Sequence, residues 1–441
     1  MASRDGGRAG GRAAAQLAAA ALRGRCAIGA RLDDRLCPVP RGDIGGGAAD
    51  AGAERELRPR LDSPASWPAR QASDVKTTAL RRGRKAAAIG AALATATLAL
   101  AGCSLAAPDS SSSPGGSGAS AGGSVLSGTL SASGSTFQLT FQEVAISGFK
   151  SIQPGITVNY GGVGSGAGRA DLAANKVNFA GSDSPIPPAE KAGFTGKKVL
   201  YFPVVTGPVT LSYHLSGVRE LDLSAPVLAG IFDGKIKTWD DPAIEADNPG
   251  ALLPVTPITL AVRSNSSGTT ANFTKFLVEA AGSQWPLGTG STISWPAGSR
   301  SATGNRGVAQ IVKSTPGAIG YVDYATAKAS GLTFASVKNK DGDYVAPSPA
   351  SAALAASQVT LMPDETFSAV WAGGAGSYPI TYQSWDLVYA KQPNANDAKM
   401  LRAYLGYLLG AGQELLPELG YAPLPSGIDR QAQTQLSKIG D

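Results

Sequence analysis

From about Gly128 the apolar positions switch repeatedly between a helical and a strand period. Phe137, Phe141 and Val144 share one face of a helix predicted over 137–147, and Gly155 breaks the chain before the alternating strand Ile156-Thr-Val-Asn-Tyr160. A short helix over 166–175 and a strand over Val177–Gly181 follow. Val199–Tyr213 and Ile258–Val262 read as further strands. Phe273, Phe276, Leu277 and Ala280 fall at i, i+3, i+4, i+7, which predicts an amphipathic helix whose first turn is Gly268–Ala271. A helix near 308–312, a strand over Ala318–Val322 and a last helix around 397–409, followed by a Gly/Pro-rich tail, complete the series. Helical patterns alternating with β-branched runs predict an α/β fold with mainly parallel sheets.

With 441 residues, the chain is long enough for two or three domains. Its net charge of +6 is unevenly placed: residues 1–102 hold 17 Lys+Arg against 9 Asp+Glu, and the remainder 22 against 24. The basic character therefore belongs to the front of the chain. No basic stripe or base-reading motif follows, so nucleic acid is not an expected partner.

Five basic residues and no acid lie between Lys76 and Lys85, then Ala86–Gly102 is uncharged and Ala/Leu-rich, ending Leu100-Ala-Gly-Cys103. This is the pattern of a lipoprotein signal over 75–102, with Cys103 as the lipid attachment site and a membrane anchor as its consequence. Residues 1–74, polar and aperiodic, read as an over-extended reading frame ahead of a start at Val75. A Ser/Gly-rich stretch over 103–127 reads as a flexible tether. Cys26 and Cys37 precede the signal, so the exported portion keeps only Cys103. It has no disulfide framework and no thiolate metal site, and no cofactor is implied.

The densest chemistry lies in Arg263-Ser-Asn-Ser-Ser-Gly-Thr269, where a permanent positive charge precedes hydroxyls and a glycine that open a helix. The first N–H groups of a helix lack partners and carry the positive end of its dipole, so Ser267, Gly268 and Thr269 suit an oxyanion. Ser133-Gly-Ser-Thr-Phe137 and Gly161-Gly-Val-Gly-Ser165-Gly-Ala-Gly168 open two further helices with small residues, and Asp183 ends the strand before Ser184-Pro185. The plain alternative for each is local, an N-cap or a turn-capping Asp. Gly162-x-Gly164-x-x-Ala167 with Asp183 downstream imitates a dinucleotide fingerprint, a cofactor that an exported protein rarely meets.

The blocks GSTF, NYGGVGSG and VNFAGSDSPI, then GIFDGKIKTWDDPAI, RSNSSGTT, GTGSTISWPAG and PGAIGYVDYA, in this order, resemble the phosphate-binding protein of the high-affinity phosphate ABC transporter. The resemblance spans nearly all of 128–441. It implies a two-domain Venus-flytrap fold of the periplasmic-binding-protein type II class, with lobes at 128–205 with 382–441 and at 206–381. It implies phosphate contacts at Thr136, the backbone N–H of Phe137, Ser165 and Asp183 from one lobe, and Arg263, Ser267, Gly268 and Thr269 from the other. Its partners would be inorganic phosphate and membrane permease subunits driven by a cytoplasmic ATPase. One departure stands out: the family commonly has Asp two residues after the arginine, and here stands Asn265, whose amide can accept a hydrogen bond from Arg263 but offers no ion pair.

An ionised Asp183 is acceptor-only, so it takes a hydrogen bond from a protonated phosphate and repels sulfate. The rivals are a binding protein for another oxyanion and a phosphatase-like hydrolase. His214, the sole histidine, lies in the apolar-flanked run TLSYHLSG and suits packing better than catalysis, and neither a G-x-S-x-G elbow nor a His/Cys zinc cluster follows the tether. The chain is therefore expected to bind and not to turn over.

Overall fold

A computed structural model describes residues 126–441, all within one compact unit, Ser110–Asp441. The readings of residues 1–125, including Cys103, the signal and nearly all of the tether, lie outside the described residues.

The chain begins β1 (Gly128–Gly134), α1 (Leu139–Ile152), β2 (Ile156–Gly161), α2 (Ser165–Ala173) and β3 (Phe179–Ser182). The long β4 (Val199–Tyr213) is followed by β5 (Asp222–Leu223), α3 (Ala225–Phe232), α4 (Pro242–Asp247), β6 (Thr259–Arg263) and α5 (Gly268–Ala281). Then come β7 (Arg300–Ala302), α6 (Gly304–Ser314), β8 (Ala318–Asp323), α7 (Tyr324–Ala329), β9 (Thr333–Phe334), β10 (Ser336–Lys338), β11 (Tyr344–Val345) and α8 (Pro349–Ser357). β12 (Thr381–Tyr389) and α9 (Ala395–Leu409) lead into two last helices, Leu416–Leu419 and Ser426–Gln435.

One nine-stranded sheet runs β2-β1-β3-β12-β4-β8-β6-β7, with β9 beside β4, and β11-β10-β5 form a small second sheet. Pairing is parallel within β1–β3 and within β6–β8 but antiparallel through β12 and β4. The expected parallel sheets are therefore two flanks of a mixed sheet. β4 and β12 are almost continuously buried, as central strands are; β4 is largely apolar, whereas β12 buries Thr381, Gln383, Ser384 and Asp386 among its apolar residues.

The two prolines of β4 mark its irregularities. Next to Pro203, which has no N–H to give, the ladder with β12 slips between Ser384 and Trp385. At Pro208, opposite Thr381, pairing with β12 ends, and Val209 begins the pairing with β8. This switch sets the site. β3 runs along β12 until Ser182 stands opposite Trp385, and β8 runs along β4 from the other side until Asp323 stands opposite Val209. The two parallel flanks thus point their carboxyl ends at each other across the middle of the β4–β12 ribbon, and the loops that follow β1, β3, β6 and β8 face a common cleft.

Each flank has its own packing. In the first, α1 buries Phe141, Ala145 and Phe149, the last with its ring centroid 5.0 Å from that of Tyr404 in α9. In the second, Phe273 of α5 stacks on Tyr321 of β8 at 4.9 Å, and Phe232 of α3 closes on both. Val144, expected on the buried face of α1, is 39% exposed. The helix starts at Leu139, not 137, and turns Gln142 inward instead, where it is hydrogen-bonded to Asp386.

Candidate functional site

Asp183 follows β3 and is 1% exposed. Its Oδ1 accepts from the hydroxyls of Ser135 and of Ser384, the latter at 2.6 Å, and its Oδ2 accepts from Ser165 Oγ at 3.3 Å. Burial pushes its carboxyl above the usual carboxylate range; the hydroxyls of Ser135 and Ser384 and the charge of Arg263 pull it back. The loop around it is fixed from behind by Arg169 of α2. Nη1 of that residue donates to Ser182 Oγ at 2.9 Å and Ser184 Oγ at 3.1 Å, the two neighbours of Asp183.

Arg263 ends β6 with its side chain 5% exposed. Nε donates to Asn265 Oδ1 at 3.1 Å and Nη1 to Asn305 Oδ1 at 3.3 Å, while Nη2 is buried without a hydrogen-bond partner among the described residues. Burial lowers its affinity for the proton, opposed by Tyr321 and Asp183. The guanidinium nonetheless stays charged, because its intrinsic basicity is so high.

α5 opens beside it. Ser267 is the N-cap, its Oγ accepting from Thr270 N–H at 3.2 Å, and Thr269 Oγ1 lies 3.2 Å from Tyr382 OH and accepts from Asn305 Nδ2 at 3.4 Å. The tip of this helix rests directly on Asp183: a Cβ added at Gly268 would lie 2.5 Å from Asp183 Cβ and 2.5 Å from Ser165 Oγ. Asn272, one turn on, donates to the Asp183 carbonyl at 2.7 Å.

Thr136 joins from the β1–α1 turn, its Oγ1 accepting from Asn305 N–H at 3.4 Å. The Phe137 N–H donates to Ser135 Oγ at 3.0 Å, and the Phe137 ring packs 4.2 Å from that of Tyr382. At the rim of the cleft, Glu143 of α1 and Arg306 of α6 form a bidentate ion pair at 3.1 and 2.7 Å, both half exposed.

All eight expected ligand residues thus stand together where the two flanks meet. Thr136, Phe137, Ser165 and Asp183 come from the first flank; Arg263, Ser267, Gly268 and Thr269 from the second. Residues the sequence reading passed over stand among them: Ser135, Ser384, Tyr382, Asn272, Asn305 and Asp323. Asp323 caps α7 through Oδ1, leaves Oδ2 buried without a partner among the described residues, and is pushed up to about 6 by burial. Ser135 lies inside GSTF and was within reach of the motif. Ser384 sits in the buried β12, where nothing in the local pattern marks it.

A fixed guanidinium, a helix N-terminus and a buried carboxylate meeting between two flanks of one sheet define a two-lobed solute-binding protein built for an anion. The chain matches the PBP superfamily domain over residues 119–411. It is 36% identical over 321 residues to phosphate-binding protein PstS 3 of Mycobacterium leprae, covering 70% of this chain and 87% of that one. It is 35% identical over 287 residues to phosphate-binding protein PstS of Xylella fastidiosa, covering 63% and 77%. Among solved structures, a high-affinity periplasmic phosphate-binding protein, PfluDING, bound with phosphate, aligns over 70% of this chain and 94% of its own, with a TM-score of 0.60 at 24% identity. The chain belongs to the phosphate-binding proteins of the PBP superfamily.

Proposed function

We propose that this protein captures inorganic phosphate between its two flanks on the outer side of the cytoplasmic membrane and delivers it to a permease driven by a cytoplasmic ATPase. Cys103 would carry the lipid that holds it there. Among the described residues no helix is long and apolar enough to cross a membrane. The lobes would be 128–205 with 382–441 and 206–381, hinged on β4 and β12, and closing as the ligand bridges them.

The observation that carries the reading is Arg263 Nη2. A buried guanidinium nitrogen without a hydrogen-bond partner costs free energy unless an acceptor meets it, and this one belongs to a residue close enough to Asp183 to shift its carboxyl. The acceptor must be an anion small enough to fit between them. Arg263 Nη2, the N–H groups of Gly268 and Thr269 and the hydroxyls of Ser267 and Thr269 would donate to its oxygens, the Phe137 N–H would turn to it from Ser135 Oγ, and Thr136 and Ser165 would complete the shell.

Asp183 decides which anion. Oδ1 is taken by two hydroxyls, whereas Oδ2 holds only that of Ser165 and keeps a lone pair to accept from a ligand O–H. Phosphate near neutral pH always has such a proton and sulfate has none, so sulfate would meet a like charge and an unsatisfied acceptor. A site built around one ligand proton rejects the analogue lacking it by roughly 10⁴-fold or more. Calorimetry of the wild type and Asp183→Asn with phosphate and sulfate tests this. The substitution should shrink the phosphate-over-sulfate ratio by at least an order of magnitude, and an unchanged ratio would remove Asp183 from the role.

A further inference from the structure

We infer that Asn265 is a positioning residue that couples Arg263 to closure of the cleft. This rests on the phosphate reading of the site. The side-chain amide of Asn265 has three partners, and together they fix its orientation. Oδ1 accepts from Arg263 Nε at 3.1 Å and from Gly304 N–H at 3.3 Å; Nδ2 donates to the Val163 carbonyl at 2.9 Å. Two donors on one side and one acceptor on the other can be satisfied at once only by a carboxamide.

The partners lie on opposite sides of the cleft. Arg263 and Gly304 belong to the β6–β8 flank, whereas Val163 lies in the turn between β2 and α2. The approach is close enough to constrain the next residue: Gly164 has φ +98°, and a Cβ there would lie 2.3 Å from Asn265 Nδ2. Such a φ disfavours any side chain, and the contact leaves no room for one.

A carboxylate at 265 would brace Arg263 as well or better. It would also set a charged oxygen against the Val163 carbonyl oxygen, with no proton to place between them. The amide gives up the ion pair with Arg263 and gains a donor that reaches across the cleft. The bond exists only while the two flanks are together, so its loss acts on release of the ligand. Val163 is 41% exposed, which puts the bond at the wet edge of the cleft and keeps its effect modest.

Asn265→Asp and Asn265→Ala separate this role from simple bracing. The first keeps an acceptor for Arg263 Nε and the second removes it, but both abolish the donor to Val163. Purified wild-type and variant proteins are loaded with radiolabelled phosphate, chased with excess unlabelled phosphate and sampled by rapid filtration. Melting curves without ligand check that each variant folds. Both variants should release phosphate about 3- to 10-fold faster than the wild type. Release by Asn265→Asp at the wild-type rate or slower, with Asn265→Ala alone accelerated, would reduce Asn265 to a brace and overturn the inference. A wild type that retains no labelled phosphate would overturn the phosphate reading itself, and this inference with it.

Discussion

Arg169 and Glu190 are joined by two parallel hydrogen bonds, Nε to Oε2 at 2.6 Å and Nη2 to Oε1 at 2.8 Å, with the guanidinium wholly buried. The remaining nitrogen, Nη1, bonds the serines on either side of Asp183. A structural ion pair thereby fixes the backbone that presents the ligand-sensing carboxylate. Replacing Glu190 with Ala leaves a buried charge without its counter-ion, which costs about 3 kcal/mol. Urea denaturation should show that loss. Arg169→Met, which leaves no charge behind, should cost less stability but loosen the Asp183 loop, and calorimetry should show weaker phosphate binding.

Gly268 is where the tip of α5 presses on Asp183 of the other flank, so it supplies a test of closure that leaves each flank's own packing alone. The Cβ of Gly268→Ala would meet Asp183 Cβ and Ser165 Oγ, both at 2.5 Å and both held by buried hydrogen bonds. Overpacking of this kind costs typically about 1–3 kcal/mol, and here it falls on the closed form alone. Phosphate affinity should drop by about 5- to 150-fold, with the melting temperature of the ligand-free protein raised or unchanged. Unaltered affinity in a calorimetric titration would mean that the tip of α5 can retreat freely from Asp183.

Much of the architecture was legible because the residues that shape it act locally. Val199–Tyr213 is apolar enough to be a central strand, and Gly268 with Phe273, Phe276 and Leu277 announces both the start and the buried face of α5. Ser165 and Asp183 stand beside glycines that only a tight turn or a close approach requires. What could not be read depends on distant partners. Ser384 and Asp183 are 201 positions apart, and Asn305 matters because Thr136, Arg263 and Thr269 all converge on it. The helix Ser426–Gln435 reads as part of a Gly/Pro-rich tail because it is mostly polar and anchors itself through Ile428, Ala432 and Gln435. Gln142 was missed for a related reason, since a buried amide looks like a surface residue until its partner Asp386 is placed beside it.

Asp386 lies in β12 and accepts from Gln138 Nε2 at 3.0 Å and Gln142 Nε2 at 3.1 Å, and among the described residues no cation hydrogen-bonds to it. Burial pushes its carboxyl up to about 7, and the two amides only partly oppose this. In the unfolded chain it returns to an ordinary value near 3.8. Between those limits the folded protein holds a proton that the unfolded chain releases, so the contribution of Asp386 to stability is greatest below about pH 4, falls as the pH rises to about 7, and is level above it. A shift of this size corresponds to up to about 4 kcal/mol. Asp386→Asn has no proton to lose. The stability difference, wild type minus Asp386→Asn, should therefore decline by up to that amount between pH 4 and pH 8. Asp323, raised for the same reason, is common to both proteins and cancels in the subtraction. Urea denaturation at a series of pH values measures the difference, and a flat line would mean that Asp386 remains ionised inside the fold.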